Sequence, residues 1–152
     1  MDNEKAISVL NSFIVINNAR IKRYKWASTD SKESFLKKTF MSFQKTSLAC
    51  KKELRKEIIK LGGTPIEEKS KNTLLHHFWL KFTKFVFNTD LNNIIYSCER
   101  NESIIIQSYY EAIYSNLGNL NYKQKAMLNN QYFLINDDHD KMKSLNIHSH
   151  RL

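Results

Sequence analysis

Leu61-Gly62-Gly63-Thr64-Pro65 holds two of the chain's three glycines and its only proline, and Gly118 is the one breaker elsewhere in 152 residues. Tight turns need glycine or proline, so a chain this poor in both cannot make the many reversals of an all-β or α/β fold. Long helices follow. Within the quoted stretch, one glycine is expected to supply a left-handed cap that ends a helix, and Pro65 prevents its restart.

Upstream of that stop, apolar residues at alternating spacings of three and four place one long helix over about residues 31–61. Its inner face reads Leu36, Phe40, Phe43, Ser47, Cys50, Leu54, Ile58 and Leu61. An earlier helix over about 3–27 carries Leu10, Ile14, Asn17, Ile21 and Tyr24. Ser28-Thr29-Asp30 is expected to break it, with Asp30 and Glu33 forming a capping box for the next helix. Downstream, 64–71 is a polar connector, followed by a short insertion helix over about 73–88 with a wide apolar face around Leu75, Trp79, Phe82 and Val86. Thr89-Asp90 opens a helix over about 90–116, with the seam Leu91, Ile95, Cys98, Glu102, Ile105, Tyr109 and Ile113. Asn121 with Gln124 caps the last helix, about 122–146, with Leu128, Gln131 or Tyr132, Ile135, His139 and Met142 inward. The tail 147–152 is expected to be flexible.

Short links between the first two and the last two long helices force antiparallel hairpins. The long middle connection permits a crossover between them. The expected architecture is a single all-α domain, 1–152, built as an antiparallel four-helix bundle with a short helical insertion between helices 2 and 3.

The formal charge of +9 is concentrated, with thirteen Lys/Arg against four Asp/Glu in residues 20–60 and ten against nine in 61–152. Lys38, Lys45, Lys52 and Lys56 lie on one helical stripe. A solvated outer face explains such a stripe, and an anion-binding surface for nucleic acid, lipid headgroups or an acidic protein is the alternative. No aromatic residue is interleaved for base stacking, which disfavours nucleic acid. The apolar strip Leu74–Phe87 reads as core or dimer packing ahead of membrane contact. The charged N-terminus resembles no secretory signal and no segment is apolar enough to span a bilayer, so a cytoplasmic setting is expected. Cys50 and Cys98 fall at apolar positions and read as buried thiols ahead of a disulfide.

The polar residues of the seam are where chemistry would reside: Asn17, Ser47, Glu102, and Gln131 or His139. A buried carboxylate needs a partner, and for Glu102 the sequence offers His139 or Tyr132. A hydrogen-bonded network that fixes helix register is the plain reading. A di-iron site needs a Glu from each of two helices and Glu-x-x-His from each of the other two. Here Asn136 stands three residues before His139, and the first helix has no carboxylate between Glu4 and its end. At most a single metal ion could be held, by Glu99, Glu102 and His139. His76 and His77 are adjacent and diverge by about 100° on a helix, so they cannot chelate together. No Cys-x-x-Cys pair, phosphate loop or nucleophile elbow is present, so no catalytic residues and no cofactor are assigned.

The Leu61–Pro65 turn, the segment Ile16-Asn17-Asn18-Ala19-Arg20-Ile21, Trp79, Cys98-Glu99-Arg100-Asn101-Glu102, Tyr109-Tyr110-Glu111-Ala112 and His139-Asp140 together resemble an uncharacterised bacterial ferritin-like four-helix-bundle family, a domain of unknown function. The resemblance spans roughly residues 7–146. The chain departs from it at Asn101 and Ser103, where the family favours Gly and Asp, and at Lys22, Arg23 and Lys25, where relatives tend to be acidic. It implies a ferritin-like fold and no established reaction. By analogy it suggests a non-enzymatic structural or stress-related interaction protein, working as a homo-oligomer or with a protein partner. A degenerate bundle holding one iron, manganese or zinc ion is the alternative.

Overall fold

The computed structural model describes residues 2–67 and 91–150, and among them every regular element is helical. The elements are α1 (Asn3–Asp30), α2 (Ser34–Lys60), α3 (Leu91–Ser115), a 3-10 turn (Leu117–Asn119) and α4 (Tyr122–His150). The expected insertion helix at 73–88, with the strip Leu74–Phe87 and His76, His77 and Trp79, lies outside the described residues.

The helix ends follow local chemistry. Asp2 caps α1 by accepting from the Glu4 N–H at 3.0 Å. The Lys60 end closes in a Schellman arrangement: the Gly63 N–H reaches Ile58 O at 2.9 Å and the Gly62 N–H reaches Ile59 O at 3.0 Å. Gly62 supplies the required left-handed backbone at φ +85°. Asn121 and Gln124 form the expected reciprocal capping box, with bonds of 2.8 and 2.9 Å.

One boundary differs from the sequence reading. α1 continues through Ser28-Thr29-Asp30 because the hydroxyls of Ser28 and Thr29 bond back to Lys25 O at 2.9 and 2.8 Å. Bonded this way, they do not compete with the helix for its outer N–H groups. Asp30 is therefore still helical, and the expected Asp30–Glu33 box does not form. Glu33 stands at the N-cap of α2 without a side-chain cap bond. At the other end of the chain, helix extends to His150, past the expected stop near residue 146.

Contacts at successive levels fix the topology. Asn17 meets Tyr109 and Arg20 meets Glu102, so α1 and α3 are antiparallel. Gln124 meets Glu57 and Gln131 meets Glu53, so α2 and α4 are antiparallel as well. With hairpins α1–α2 and α3–α4, the diagonal pair α2 and α3 runs parallel. A parallel pair needs a connection that returns the length of the bundle, ~40 Å for a helix of this size. Residues 61–90 separate α2 from α3 in the sequence.

The interior divides in two. One apolar cluster includes Leu10, Phe13, Ile14, Leu54, Ile58, Ile105, Tyr109, Leu128 and Ile135. The other gathers Tyr24, Ala27, Leu36, Phe40, Phe43, Cys98 and Met142. α1 is more deeply buried than a single amphipathic seam implies. Phe13 through Ala19 and on to Arg20 are buried without interruption, which wraps more than one face of the helix.

The loop after α2 is pinned to α1. The Asn11 amide donates to Thr64 O at 3.2 Å and accepts from the Ile66 N–H at 2.8 Å. A Cβ built on Gly63 would lie 2.8 Å from Ile7 Cγ2 and Cδ1, so any larger residue there requires the Ile7 side chain to move. Two outcomes follow. Gly62→Ala, forced into a left-handed conformation, should lower unfolding free energy by about 1 kcal/mol. Gly63→Ala should destabilise through Ile7, and Ile7→Ala in the same chain should recover part of the loss in a denaturant-melt double-mutant cycle.

Candidate functional site: a buried arginine layer

Between the two apolar clusters lies a charged layer to which all four helices contribute. Arg20 of α1 is fully buried, and each of its five donor hydrogens has an acceptor. Nε donates to Glu102 Oε1 at 2.7 Å and one terminal nitrogen to Glu102 Oε2 at 2.9 Å, a bidentate pair with α3. The same nitrogen donates to Asp138 Oδ2 of α4 at 2.8 Å. The other donates to Phe43 O at 3.0 Å and Ser47 Oγ at 2.9 Å, both on α2. A guanidinium has five N–H groups, so the set is complete.

Tyr24, one turn along α1, donates its hydroxyl to Glu102, and its ring lies 5.1 Å from the guanidinium carbon of Arg20. Burial and the neighbouring Glu102 charge raise the Tyr24 hydroxyl well above its ordinary value, so it stays a proton donor. Burial alone would lower Arg20, but Glu102, Tyr24 and Asp138 outweigh it and raise the group. Asp138 behaves differently. Burial raises its carboxyl above the usual range although Arg20 pulls the other way. A carboxyl raised in the folded state takes up its proton there before it does in the unfolded chain. Asp138 therefore weakens the fold as pH rises through its native value.

A second polar layer lies about one turn away. The Asn17 amide donates to Tyr109 Oη at 2.7 Å and to Phe13 O at 2.9 Å. Tyr109 in turn donates to Gln131 Oε1 at 2.8 Å. Gln131 reaches Cys50 O and Glu53 Oε1, each at 3.3 Å. On the other side of Arg20, Arg23 bonds the sulfur of Cys98. Both cysteines are free and buried, and burial pushes each thiol up to about 12, against an opposing pull from Arg23 at Cys98 and from Arg20 at Cys50.

The seam residues Asn17, Ser47, Glu102 and Gln131 are all buried, and the choice on α4 falls on Gln131, with Tyr132 half-buried. The sequence reading missed Arg20 and Asp138. The partner of Glu102 is Arg20, where the sequence offered His139 or Tyr132. Helical spacing was the available signal: Asn17, Arg20 and Tyr24 step by three and four, as do Ile135, Asp138 and Met142. His139 lies toward the surface, with its ring 3.2 Å from Ser103 Oγ and 3.7 Å from Asp140. Glu99 is half-buried. Of the three residues named for a metal ion, Glu99, Glu102 and His139, Glu102 is held by Arg20 while His139 faces Ser103 and Asp140. Among the described residues no group of three His, Cys, Asp or Glu side chains could hold an ion. Lys38, Lys45, Lys52 and Lys56 are all exposed on α2.

This crossover four-helix bundle defines a ferritin-like protein, and solved structures bear that out at the level of fold. Dps from Thermosynechococcus elongatus matches with a TM-score of 0.75 at 14% identity, covering 93% of this chain and 90% of that one. An archaeal dps-homologue from Halobacterium salinarum gives 0.72 at 18% identity, covering 95% and 80%. A ferritin-like, diiron-carboxylate protein from Bacillus anthracis str. Ames gives 0.66 at 16% identity, covering 96% and 97%. No curated protein matches the chain. Residues 5–115 match the family described as Domain of unknown function (DUF2383), and the chain belongs to that family.

The residues present do not fit the metal pair that some ferritin-like bundles carry. Such a site draws carboxylates and histidines from facing helices into the bundle core. Here a fixed guanidinium occupies the charged layer, both oxygens of Glu102 already accept from it, and among the described residues no histidine enters the layer.

Arg20→Met should cost about 3–5 kcal/mol, because it strands Glu102 without its cation. Replacing the whole set in Arg20→Met/Glu102→Leu/Asp138→Leu should recover most of that loss in urea melts. In the native state Cys50 and Cys98 should react with a thiol reagent only as fast as the fold opens. Both should react at once in denaturant.

Proposed function

We propose that this chain is a non-enzymatic ferritin-like bundle, a structural or stress-related interaction protein that works as a homo-oligomer in the cytoplasm. The observation that carries the reading is the saturated Arg20 layer. A cation built into the sequence neutralises the buried carboxylates, so they are not available as ligands for a redox metal. Oxygen or peroxide chemistry on a bundle-bound iron pair would need inward carboxylates and histidines beyond those the Arg20 layer already holds. The polar layers serve instead to hold four helices in one register. Self-association is supported by the similarity to the two Dps-type folds and by an exposed aromatic group on the α3–α4 hairpin. In that group Tyr110 packs on Tyr114 at 4.4 Å, and Phe133 lies near Tyr132. Exposed aromatic surface of this kind is typical of protein interfaces.

The test is metal analysis of untagged protein purified without chelator, beside a Glu102→Ala variant. The expected result is no stoichiometric iron, manganese or zinc in either, and ferrous iron oxidised no faster than in buffer. About one ion per chain in the wild type, lost in Glu102→Ala, would overturn the reading in favour of a metal-binding bundle. Sedimentation analysis should show an oligomer, and a monomer at all concentrations would remove the self-association claim.

A further inference from the structure

The charged residues of α2 are distributed one-sidedly. The helix carries eight Lys/Arg against two Glu. Both acids are turned to the neighbouring helix, with Glu53 accepting from Gln131 and Glu57 from Gln124. Among the described residues no ion pair involves any of the eight cations. The inner face, Leu36 through Ile58, is fully committed to the core. The outer crest is the row Lys38, Lys45, Lys52 and Lys56, all exposed. It runs in a line ~27 Å long.

A second row lies about 40° to one side of that crest, and it is apolar. Met41, Leu48 and Ile59 are 49%, 47% and 59% exposed, with Arg55 between the last two. The three stand singly, ~10 and ~16 Å apart along the axis, and give the lysine row an apolar flank.

We propose that the outer face of α2 docks flat on an anionic lipid surface. Lysines at this spacing would meet headgroup phosphates while Met41, Leu48 and Ile59 enter the acyl boundary between them. A straight helix crest touches a plane along its whole length, so the full row can engage at once. No helix is long and apolar enough to cross a membrane, so the contact is peripheral. A second copy of the chain is a poor occupant, because it would set lysine against lysine across a two-fold axis. A nucleic-acid backbone would use the lysines but has no place for the apolar row. The surface is independent of the Arg20 layer, so this inference stands or falls apart from the functional reading above.

The test is co-sedimentation of the full chain with phosphatidylcholine vesicles, alone and with about one third phosphatidylserine, at low and high salt. Binding is expected only to the anionic vesicles, and should weaken with salt. Lys38→Gln/Lys45→Gln/Lys52→Gln/Lys56→Gln should lower partitioning on the order of 100-fold or more. Met41→Ser/Leu48→Ser/Ile59→Ser, which keeps every charge, should also lose at least tenfold. All these positions are exposed, and matching thermal melts would show that both variants fold. Equal binding to neutral vesicles, no binding to anionic ones, or full binding by the lysine variant would each overturn the proposal. Undiminished binding by the apolar variant, or binding to duplex DNA in place of vesicles, would overturn it in favour of a general polyanion site.

Discussion

The guanidinium of Arg20 and the carboxylate of Glu102, buried together at 2.7 Å, set the terms for the rest of the interior. Either charge alone would cost several kcal/mol in a medium that cannot solvate it. Each therefore requires the other, and the remaining Arg20 donors require Asp138, Ser47 and a main-chain carbonyl of α2. A helix shifted by one residue would strand a charge or a donor. An apolar core tolerates such slips more easily, because one methylene resembles another. The layer thus fixes the relative height of all four helices, and the Asn17–Tyr109–Gln131 layer repeats the constraint about one turn away.

The same interaction limits the chemistry. A bundle that holds metals needs spare carboxylate oxygens and histidines directed inward. In this chain the carboxylates are spent on an arginine whose positive charge does not dissociate at any ordinary pH. The thiols nearest the layer are protonated and buried, and Tyr24 and Tyr109 are held as hydrogen-bond donors. Among the described residues, the basic face of α2 and the aromatic group of the α3–α4 hairpin are the conspicuous exposed surfaces. A family resemblance with a fold-level match to Dps and ferritin-like proteins is compatible with this, since one bundle architecture serves unrelated functions.

Much of the fold was legible in the sequence. The scarcity of glycine and proline, the Gly62 stop and the Asn121–Gln124 box are local signals, decided by backbone sterics and by donors within four residues. They act the same way wherever the helix later packs. The failure at Ser28-Thr29-Asp30 is also local: hydroxyls that can end a helix can equally bond back to it, and composition does not choose between the two. The seam positions of Asn17, Ser47 and Glu102 were readable because a polar residue in an apolar stripe breaks a period.

Arg20 and Asp138 were not readable in that way. Three- and four-residue spacings allow two adjacent positions at each turn, and the reading took Ile21 in place of Arg20 and His139 in place of Asp138, the less charged residue each time. Only tertiary packing shows that three helices bring five acceptors to the arginine of the fourth, which makes a buried cation tolerable at position 20. The sequence by itself determined helices, caps and an unevenly charged surface, because those depend on neighbours along the chain. The structure decided which charges are interior and which remain outside, because desolvation depends on neighbours across space.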